Sequence, residues 1–542
     1  MSRKPEDIIV AHFPGAETLA IEGSYTEGIF AASTDVTIDN LAGLSLHIKD
    51  IEDKTIGING LRAANGRTLK IDVGSLSLAA SGKQTQKEPW IQSPVLIHAY
   101  GGNVDLDISG NVFLEADSGN AIMVQHTKIN DTTAYGASLT MNVGGDIDIR
   151  TGNATSIMVA TLQGNTEGGS AKGARLQMSG RNISIHSQGQ VGLYVSNNDS
   201  NWGSGRGPSN AQLQAQEEMS IYGGFFGMYS NSPKAETTLG HALSVEGGSS
   251  AVFVKGADGV QTDQKVTFRA PEVSIVSHGK ANSIKETVAA LDIDEHTNVI
   301  FEGVGGGATN VTIRSENDKN AVSIGASGKL VATNAILHVE QGNVAAADGN
   351  MALTNSTVEL GNDVTMDLGT LTGEGNTIVF NSTKAGAVKI ATANNDVTVL
   401  ASGRANDQFV SAAQLLSAME GEEGASDGIV QVGGTGKTTL GAEAGAVSGA
   451  WALNEDGQIV EEENAGLSAF REFSTATFAQ WRLENNHLSQ RLGDLRADLG
   501  KSGAWARVYG GESKITDGVD VKLQTTSVQV GADTTVAGNW IV

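Results

Sequence analysis

Two pairs of alternating aspartates are candidates for chemistry, because stacked carboxylates can hold a calcium ion or contact a sugar. Asp105 and Asp107 lie in VDLDI, and Asp146 and Asp148 lie in DIDI of the next similar segment. Carboxylate oxygens are the ligands that calcium prefers. One hypothesis is therefore a single ladder of these four side chains. The alternative is that they are outward-facing positions, where Asp keeps strands soluble.

Two glycine-rich strings are similar to catalytic motifs but lack a required part. VGGTGKTTL would need a glycine five places before Gly436 to be a phosphate-binding loop, and Gln431 stands there. GASDG surrounds Ser426, but a nucleophile elbow needs a strand before it and a helix after it. Here an acidic loop precedes and a strand follows. We therefore interpret the first string as a glycine turn between strands and expect no nucleophile at the second.

The ten histidines are scattered singly, and no HExxH pair or similar close metal pair occurs. His186 is predicted to be an exposed position on a strand. We accordingly expect no metal, no cofactor and no catalytic residue.

Composition limits the classes of partner and core. The chain has 542 residues, 69 Gly, 7 Pro and 5% aromatic residues, which suits many small repeated layers better than one large core. The net charge of −25 would repel nucleic acid and anionic membrane surfaces. The absence of cysteine excludes disulfides and thiolate metal sites.

A repeat organises the first two thirds of the chain. The second apolar run of each unit begins at Val112, Ile147, Ile183 and Met219, at spacings of 35, 36 and 36, and it reappears at Val273. We interpret LSVEGG and AVFVKG, which lie in between, as an insertion. Each run alternates apolar and polar residues, as strands do, and Gly, Asn, Asp and Ser cluster between the runs.

Three runs in each unit predict three faces. Because one unit has too little apolar surface to fold alone, the units must stack as parallel strands. The fold class predicted is an all-β, right-handed parallel β-helix, with roughly nine turns over residues 20–355.

The pattern changes after the β-helix, which we assign to residues 1–354. Residues 355–465 have shorter spacings, as in a capping region, and FVSAAQLLSAMEGEEGASDG predicts a short helix and a loop. Residues 466–500 carry a helical stripe that includes Trp481, Leu488 and Leu495. Residues 501–542 read as long strands around a TDG turn, with Trp505 and Tyr509 on one face. No window has the roughly 18 apolar residues of a membrane helix.

The C-terminal segment resembles a known family. WRLENNHLSQRLGDLR, GAWARVYGG and SVQVGADTTVAGNW are similar to the junction and barrel entry of autotransporters (type V secretion), particularly the pertactin-like group. LTGEGNTIVF also resembles the passenger segment that assists folding in that family. The matched positions of the junction are Trp481, Glu484, Asn486, Leu488, Arg491, Leu492, Gly493, Leu495 and Arg496, and those of the barrel entry are Trp505 and Arg507.

The resemblance implies a secreted passenger of a Gram-negative bacterium, joined through a lumen helix to the first strands of an outer-membrane β-barrel. The partners implied are outer-membrane lipid and its assembly machinery, and the passenger would be extracellular. We expect the start to be a fragment boundary, because MSRKPEDIIVAHFPG lacks a signal-peptide core. We also expect Val542 to fall inside an early barrel strand, which leaves the barrel incomplete.

Some members of that family cleave themselves after an asparagine of the lumen helix. Asn485 and Asn486 mark the corresponding region, but the family's pair lies one residue closer to Arg491, where His487 stands. We therefore expect no self-cleavage in this chain.

Two functions remain open at this point. The first is a non-enzymatic, adhesin-like surface rod with a role in virulence, whose loops contact host glycans or proteins. The alternative is a β-helix enzyme that acts on polysaccharide, which would need carboxylates together with Arg or Lys on one face.

Overall fold

The computed structural model is an all-β structure dominated by long stacks of parallel strands. It describes residues 11–12, 17–23, 27–49, 59–82, 94–130, 133–161, 173–196, 209–231, 234–239, 241–256, 264–279, 289–316, 320–409, 412–421, 428–443, 450–453, 459–462, 503–516, 520–536 and 540–541. The chain divides into two compact units, Met1–Gly441 and Ala442–Val542. The first unit is a solenoid, as the repeat predicts.

Each large turn of the solenoid contributes one strand to each of three faces, and each strand pairs in parallel with its counterparts in adjacent turns. Face 1 contains Ala11–His12, Val36–Leu41, Thr68–Val73, Asn103–Ile108, Ala137–Val143, Ala174–Gly180, Ser209–Ala215, Lys234–Leu239, Gln264–Arg269, Thr297–Glu302 and Lys329–Thr333. Face 3 contains Glu27–Ala31, Asn59–Ala64, Val95–Tyr100, Asn120–Asn130, Ile157–Thr161, Val191–Ser196, Phe226–Asn231, Ser250–Val254, Leu291–Ile293 and Asn320–Ile324.

Among the described residues, face 2 is a single ladder of 15 parallel strands. Its members are Thr18–Gly23, Gly43–Ile48, Leu76–Ala80, Val112–Ala116, Ile147–Thr151, Ile183–Ser187, Glu218–Gly223, Ala242–Gly247, Glu272–Ser277, Thr309–Ser315, Ala335–Gln341, Thr357–Asn362, Asn376–Asn381, Val397–Ala401 and Thr438–Ala442. At about 4.8 Å between neighbouring strands, this ladder extends for about 67 Å.

The register confirms the repeat and corrects one interpretation of it. Val112 pairs with Ile147 and Ile147 with Ile183, as the spacings of 35 and 36 predict. The segment interpreted as an insertion is instead a complete turn of its own. Met219 pairs with Leu243, and Leu243 pairs with Val273. The interpretation was wrong because this turn has short corners, so its period departs from 36.

The turns become smaller near residue 343. Faces 1 and 3 then merge into single long strands, so that Asn343–Thr354 pairs at its start with Asn320–Ile324 and at its end with Lys329–Thr333. Met366–Thr372, Val388–Ala393 and Val430–Gly434 continue this merged face. The face 2 ladder runs through the change without interruption, with Val358 pairing to Leu337 and to Ile378.

The core is a column of aliphatic side chains inside the faces. On face 2, alternate residues such as Leu46, Leu114 and Ile149 are at most 1% exposed, and their neighbours along the strand face outward. Fully burying one such side chain stabilises by about 1.5–3 kcal/mol. A turn carries only a few of them, so it depends on the turns above and below.

Small and left-handed residues make the corners. A Cβ at Gly144 would overlap the carbonyl oxygen of Ser109 in the preceding turn, because successive corner backbones stack closely. Asn334 and Asn355 adopt φ of 53° and 48° just before two face 2 strands. Asn is one of the few side chains that tolerate this region.

Helices are short in the described part of the chain. They are the 3-10 turn Val304–Gly306 and the α-helices Gly403–Asp407 and Ala412–Glu420. The last confirms the predicted helix, and it buries Leu415 and Met419. No helix among the described residues is long and apolar enough to cross a membrane.

The described residues of the second unit form three antiparallel pairs. Ala450–Leu453 pairs with Ile459–Glu462, and Thr535–Val536 pairs with Trp540–Ile541. The long strands Gly503–Thr516 and Asp520–Asp533 form a hairpin. Its register is unbroken, with Gly503 paired to Asp533 at the open end and Thr516 paired to Asp520 beside the turn. The predicted pair of extended strands is therefore present. The predicted helix at 466–500 lies outside the described residues.

Candidate functional site

The four aspartates singled out in the sequence do not form one ladder. Asp105 and Asp107 lie on face 1, where Asp105 pairs with Lys70 and Thr140. Asp148 lies on face 2 and pairs with Phe113 and Ser184. The single-ladder hypothesis is wrong because the two DxD segments belong to different strands of their turns. Within the described residues, no group of three His, Asp or Glu side chains could hold a metal ion.

A long open groove runs along the outer surface of face 2, with a volume of about 750 Å³. Because side chains alternate between inside and outside along each strand, the same outward position of successive strands forms a column. The hydroxyl column follows the middle of the groove and comprises Ser184, Ser220, Ser244, Ser274 and Thr312. It begins after Asp148 and ends before His338.

A second column lies two residues earlier on each strand and forms one wall of the groove. We call it the acid–amide column, and it comprises Asp146, Asn182, Glu218, Ala242, Glu272 and Asn310. Its first members are linked from turn to turn. Asn182 donates its amide to Asp146 at 2.9 Å and accepts a hydrogen bond from the backbone N–H of Glu218 at 3.1 Å.

Most hydroxyls of the hydroxyl column are available to a ligand. Ser244 donates to a carboxylate oxygen of Glu246 at 3.2 Å. In the described part of the chain, no hydrogen bond engages the side-chain hydroxyls of Ser184, Ser220, Ser274 or Thr312. Each hydroxyl can donate one hydrogen bond and accept two, so the floor of the groove offers both functions at every turn.

The carboxylates at the N-terminal end of the groove are neutralised. Arg181 donates to both oxygens of Asp146 at 2.9 and 2.6 Å, and Arg150 binds both oxygens of Asp148 at 3.0 and 2.6 Å. The hydrogen bond from Arg181, followed by that from Asn182, lowers the pKa of Asp146 to about 2. Asp146 is therefore ionised over the physiological range and already has a cationic partner.

The carboxylates in the middle of the groove are different. Glu218 and Glu272 are exposed, and neither has an ion pair with any described residue. Both pair in register with Ala242, which lies between them, so the two carboxylates are two strands apart, or about 10 Å. The small side chain of Ala242 leaves a gap between two uncompensated negative charges.

An aromatic pair lies beside the groove on two of the same strands. The rings of His186 and Tyr222 stack at 4.5 Å between centroids and 14° between planes. His186 is exposed, which confirms the prediction for this residue. Partial burial, followed by the positive charge of Arg150, lowers its pKa, which favours the neutral imidazole. Because the rings stack face to face, the pair presents uncharged ring edges next to Ser184 and Ser220.

The barrel-entry positions from the sequence lie on the long hairpin. Trp505 and Arg507 are half-buried on one side, opposite Gly531 and Gln529 of the partner strand. The other side is apolar and exposed: Val508 faces Val528, and Val530 faces Ala506, with the three valines 67–76% exposed.

The junction positions lie outside the described residues, as does Ser426. These junction positions are Trp481, Glu484, Asn486, Leu488, Arg491, Leu492, Gly493, Leu495 and Arg496. The possible cleavage region, Asn485 and Asn486, also lies outside the described residues. The string around Gly436 is a turn between Val430–Gly434 and Thr438–Ala442, as predicted. The backbone N–H groups of Thr435 and Gly436 donate to the carbonyl of Ala393, so they cannot cradle a phosphate.

No known protein family matches this chain, and no solved structure matches it. The groove itself was missed at the level of sequence, although a signal for it exists. ISI, MSI, LSV and VSI place a serine at the same strand position in four successive turns. Recognising it requires the register across the 24 residues from Met219 to Leu243.

Proposed function

We propose that this chain is the passenger of an autotransporter, a surface-displayed rod that binds an extracellular ligand along the groove of face 2. The observation that carries the proposal is a continuous parallel ladder with an outward column of hydroxyls, four of which make no hydrogen bond to another described residue. A rigid solenoid places such a column at a fixed spacing, and repeat proteins use extended surfaces of this kind for binding.

The proposed display at the outer membrane is supported by the sequence resemblance at residues 481–540 and by the long hairpin. Strands of outer-membrane barrels carry an apolar face toward lipid and a more polar face inward. The hairpin has one side with exposed Val508, Val528 and Val530 and another with Arg507 and Gln529. On this proposal, the partners of the C-terminal segment are outer-membrane lipid and the machinery that inserts barrels.

Binding has more support than catalysis. Asp146 and Asp148 line the groove and are bound by Arg181 and Arg150, so carboxylates and arginines lie close together, as a polysaccharide-acting enzyme would need. These groups are paired with one another, and the lowered pKa of Asp146 opposes its use as a general acid, which requires a raised pKa. The adhesin-like reading therefore stays the leading proposal.

Surface display can be tested in the bacterium that makes the protein. Antibodies raised against the purified chain should label intact cells, and added proteinase K should remove the label. An antibody against a periplasmic protein is the control, which should label only permeabilised cells. If both antibodies require permeabilisation, the proposal of surface display is wrong.

A further inference from the structure

We propose that the groove of face 2 binds a linear glycan built of cationic amino sugars, with about one sugar for each turn of the solenoid. This inference rests on the proposed function of the groove as the ligand site. It adds the chemical class of the ligand, which follows from shape, hydrogen bonding and charge.

The shape of the groove selects an extended polymer. Its lining extends over seven face 2 strands, from Asp146 and Asp148 to His338, which is about 29 Å at the spacing of a parallel ladder. The groove is open and continuous along this length, because its column is made by strands paired in register and not by loops. A small molecule would contact only a fraction of it, whereas a straight chain could contact successive turns.

The hydrogen-bonding groups favour a glycan over a peptide. An extended peptide gains affinity mainly by adding a strand to a free sheet edge. The groove runs across the ladder, where the backbone of each strand is already paired with the turns on both sides, as at Met219 with Ile183 and Leu243. The floor instead carries the side-chain hydroxyls of Ser184, Ser220 and Ser274. Each of them can both donate and accept hydrogen bonds, as sugar hydroxyls also do.

The charge selects cationic sugars over neutral or acidic ones. Glu218 and Glu272 stand on the wall of the groove without a cationic partner among the described residues. An acidic polysaccharide would be repelled by them and by the net charge of −25. An ammonium group at each site would form a charge-assisted hydrogen bond, and the gap at Ala242 leaves room for an intervening sugar.

The aromatic pair adds a further contact of the same class. Tyr222 lies two residues beyond Ser220 on the same outer surface, with His186 stacked on it. Because the two rings cover one face of each other, they offer a sugar an uncharged, partly apolar edge beside the hydroxyl column.

Binding of a glucosamine hexamer and of its fully N-acetylated counterpart to the full chain tests the inference by calorimetry. We expect the hexamer with free amines to bind and the acetylated one to bind about tenfold more weakly or worse, because hydrogen bonds between charged groups are lost. Equal binding of the two would overturn the assignment of cationic sugars.

Two charge-matched double variants locate the site. Glu218→Gln with Glu272→Gln should weaken binding of the free-amine hexamer about tenfold or more. Asp105→Asn with Asp107→Asn removes the same charge from face 1 and should leave binding unchanged. Circular dichroism and thermal unfolding check that both variants remain folded. Equal loss in both variants would show a non-specific charge effect and overturn the site.

A third variant and a peptide probe separate the remaining readings. A triple variant should also weaken binding of the free-amine hexamer; it combines Ser184→Ala, Ser220→Ala and Ser274→Ala. An oligolysine peptide should bind only weakly to the parent chain. If oligolysine binds tightly, and equally to the parent chain and to the triple serine variant, the groove is a cationic-peptide site and the assignment of a glycan is wrong. If intact cells are labelled by antibody but no amino-sugar glycan binds, this inference fails and surface display stands.

Discussion

His278 links three successive turns through its two ring nitrogens. Nε2 lies 3.0 Å from a carboxylate oxygen of Glu246, and Nδ1 lies 2.9 Å from one of Glu316. Arg314 also donates to Glu316 at 2.6 Å, and the ring of Tyr222 lies 6.3 Å away. Burial acts to lower the pKa of His278, but the hydrogen bonds to Glu316 and Glu246 outweigh it, and the pKa is raised.

Replacing His278 with Gln should therefore reduce stability in a pH-dependent way. A raised pKa in the folded state stabilises fully below the ordinary value of about 6.5, and the stabilisation is lost as pH rises through the raised value. We expect His278→Gln to lose about 1 kcal/mol at pH 5.5, with the difference from the parent chain shrinking by pH 9. Urea unfolding followed by circular dichroism at both pH values measures this.

His186 gives a control with the opposite sign. Its pKa is lowered, first by burial, so the unfolded chain takes up a proton more readily than the folded one in mild acid. His186→Gln should cost less stability at pH 5.5 than at pH 9. If the loss of stability in both variants changes with pH in the same direction, the opposite pKa shifts assigned to His278 and His186 are wrong.

At the scale of strands and corners, the left-handed corner at Asn355 separates backbone strain from side-chain contacts. Asn355 is exposed, with φ of 48°. Alanine keeps a Cβ but has no polar side chain to hydrogen-bond the local backbone, so it is strained in the left-handed region. Asn355→Ala should therefore lower the free energy of unfolding by about 1 kcal/mol. Asn355→Gly has no such strain and should remain close to the parent chain. Equal destabilisation by both would show that the Asn side chain, not φ, matters.

Adjacent strands also share their core contacts. Phe268 and Phe301 stack inside face 1 at 5.5 Å between centroids, and both are fully buried. Phe268→Ala should cost about 3–5 kcal/mol because it leaves a cavity between two turns. Phe113→Ala on the outside of face 2 is the control and should cost far less, since Phe113 is only half-buried and faces outward, with Arg150 5.7 Å from the centre of its ring. A similar cost for both in urea unfolding would contradict the assignment of inside and outside.

The elements predicted well from sequence are those whose pattern is imposed by the core. Alternation at Ile147 and Ile149 identifies a strand because one side must be buried. Corner lengths are not constrained in this way, since they contribute little to the core and vary between turns. The turn at Leu243 was therefore mistaken for an insertion, and the assignment of Asp105 and Asp146 to one face failed. The candidate groove depends on register across several such corners, so it required the structure.

At the scale of the whole first unit, the solenoid depends on contacts between neighbouring turns. Each strand of face 2 pairs only with the strands one turn away. Stability in such a protein is approximately the sum of the turns and of the interfaces between neighbours. The length of the ladder is therefore adjustable in whole turns but not in fractions of a turn.

Removing one whole turn tests this property. Val358 pairs with Leu337 and with Ile378, so deleting residues 358–377 brings Ile378 into the place of Val358 with the register kept. We expect a folded chain with the β-sheet circular dichroism of the parent and a cooperative thermal transition a few degrees lower. Deleting only residues 358–367 removes half a turn and moves side chains out of register, which should abolish the cooperative transition. If the two deletions are equally stable, stacking in register does not hold this part of the solenoid together.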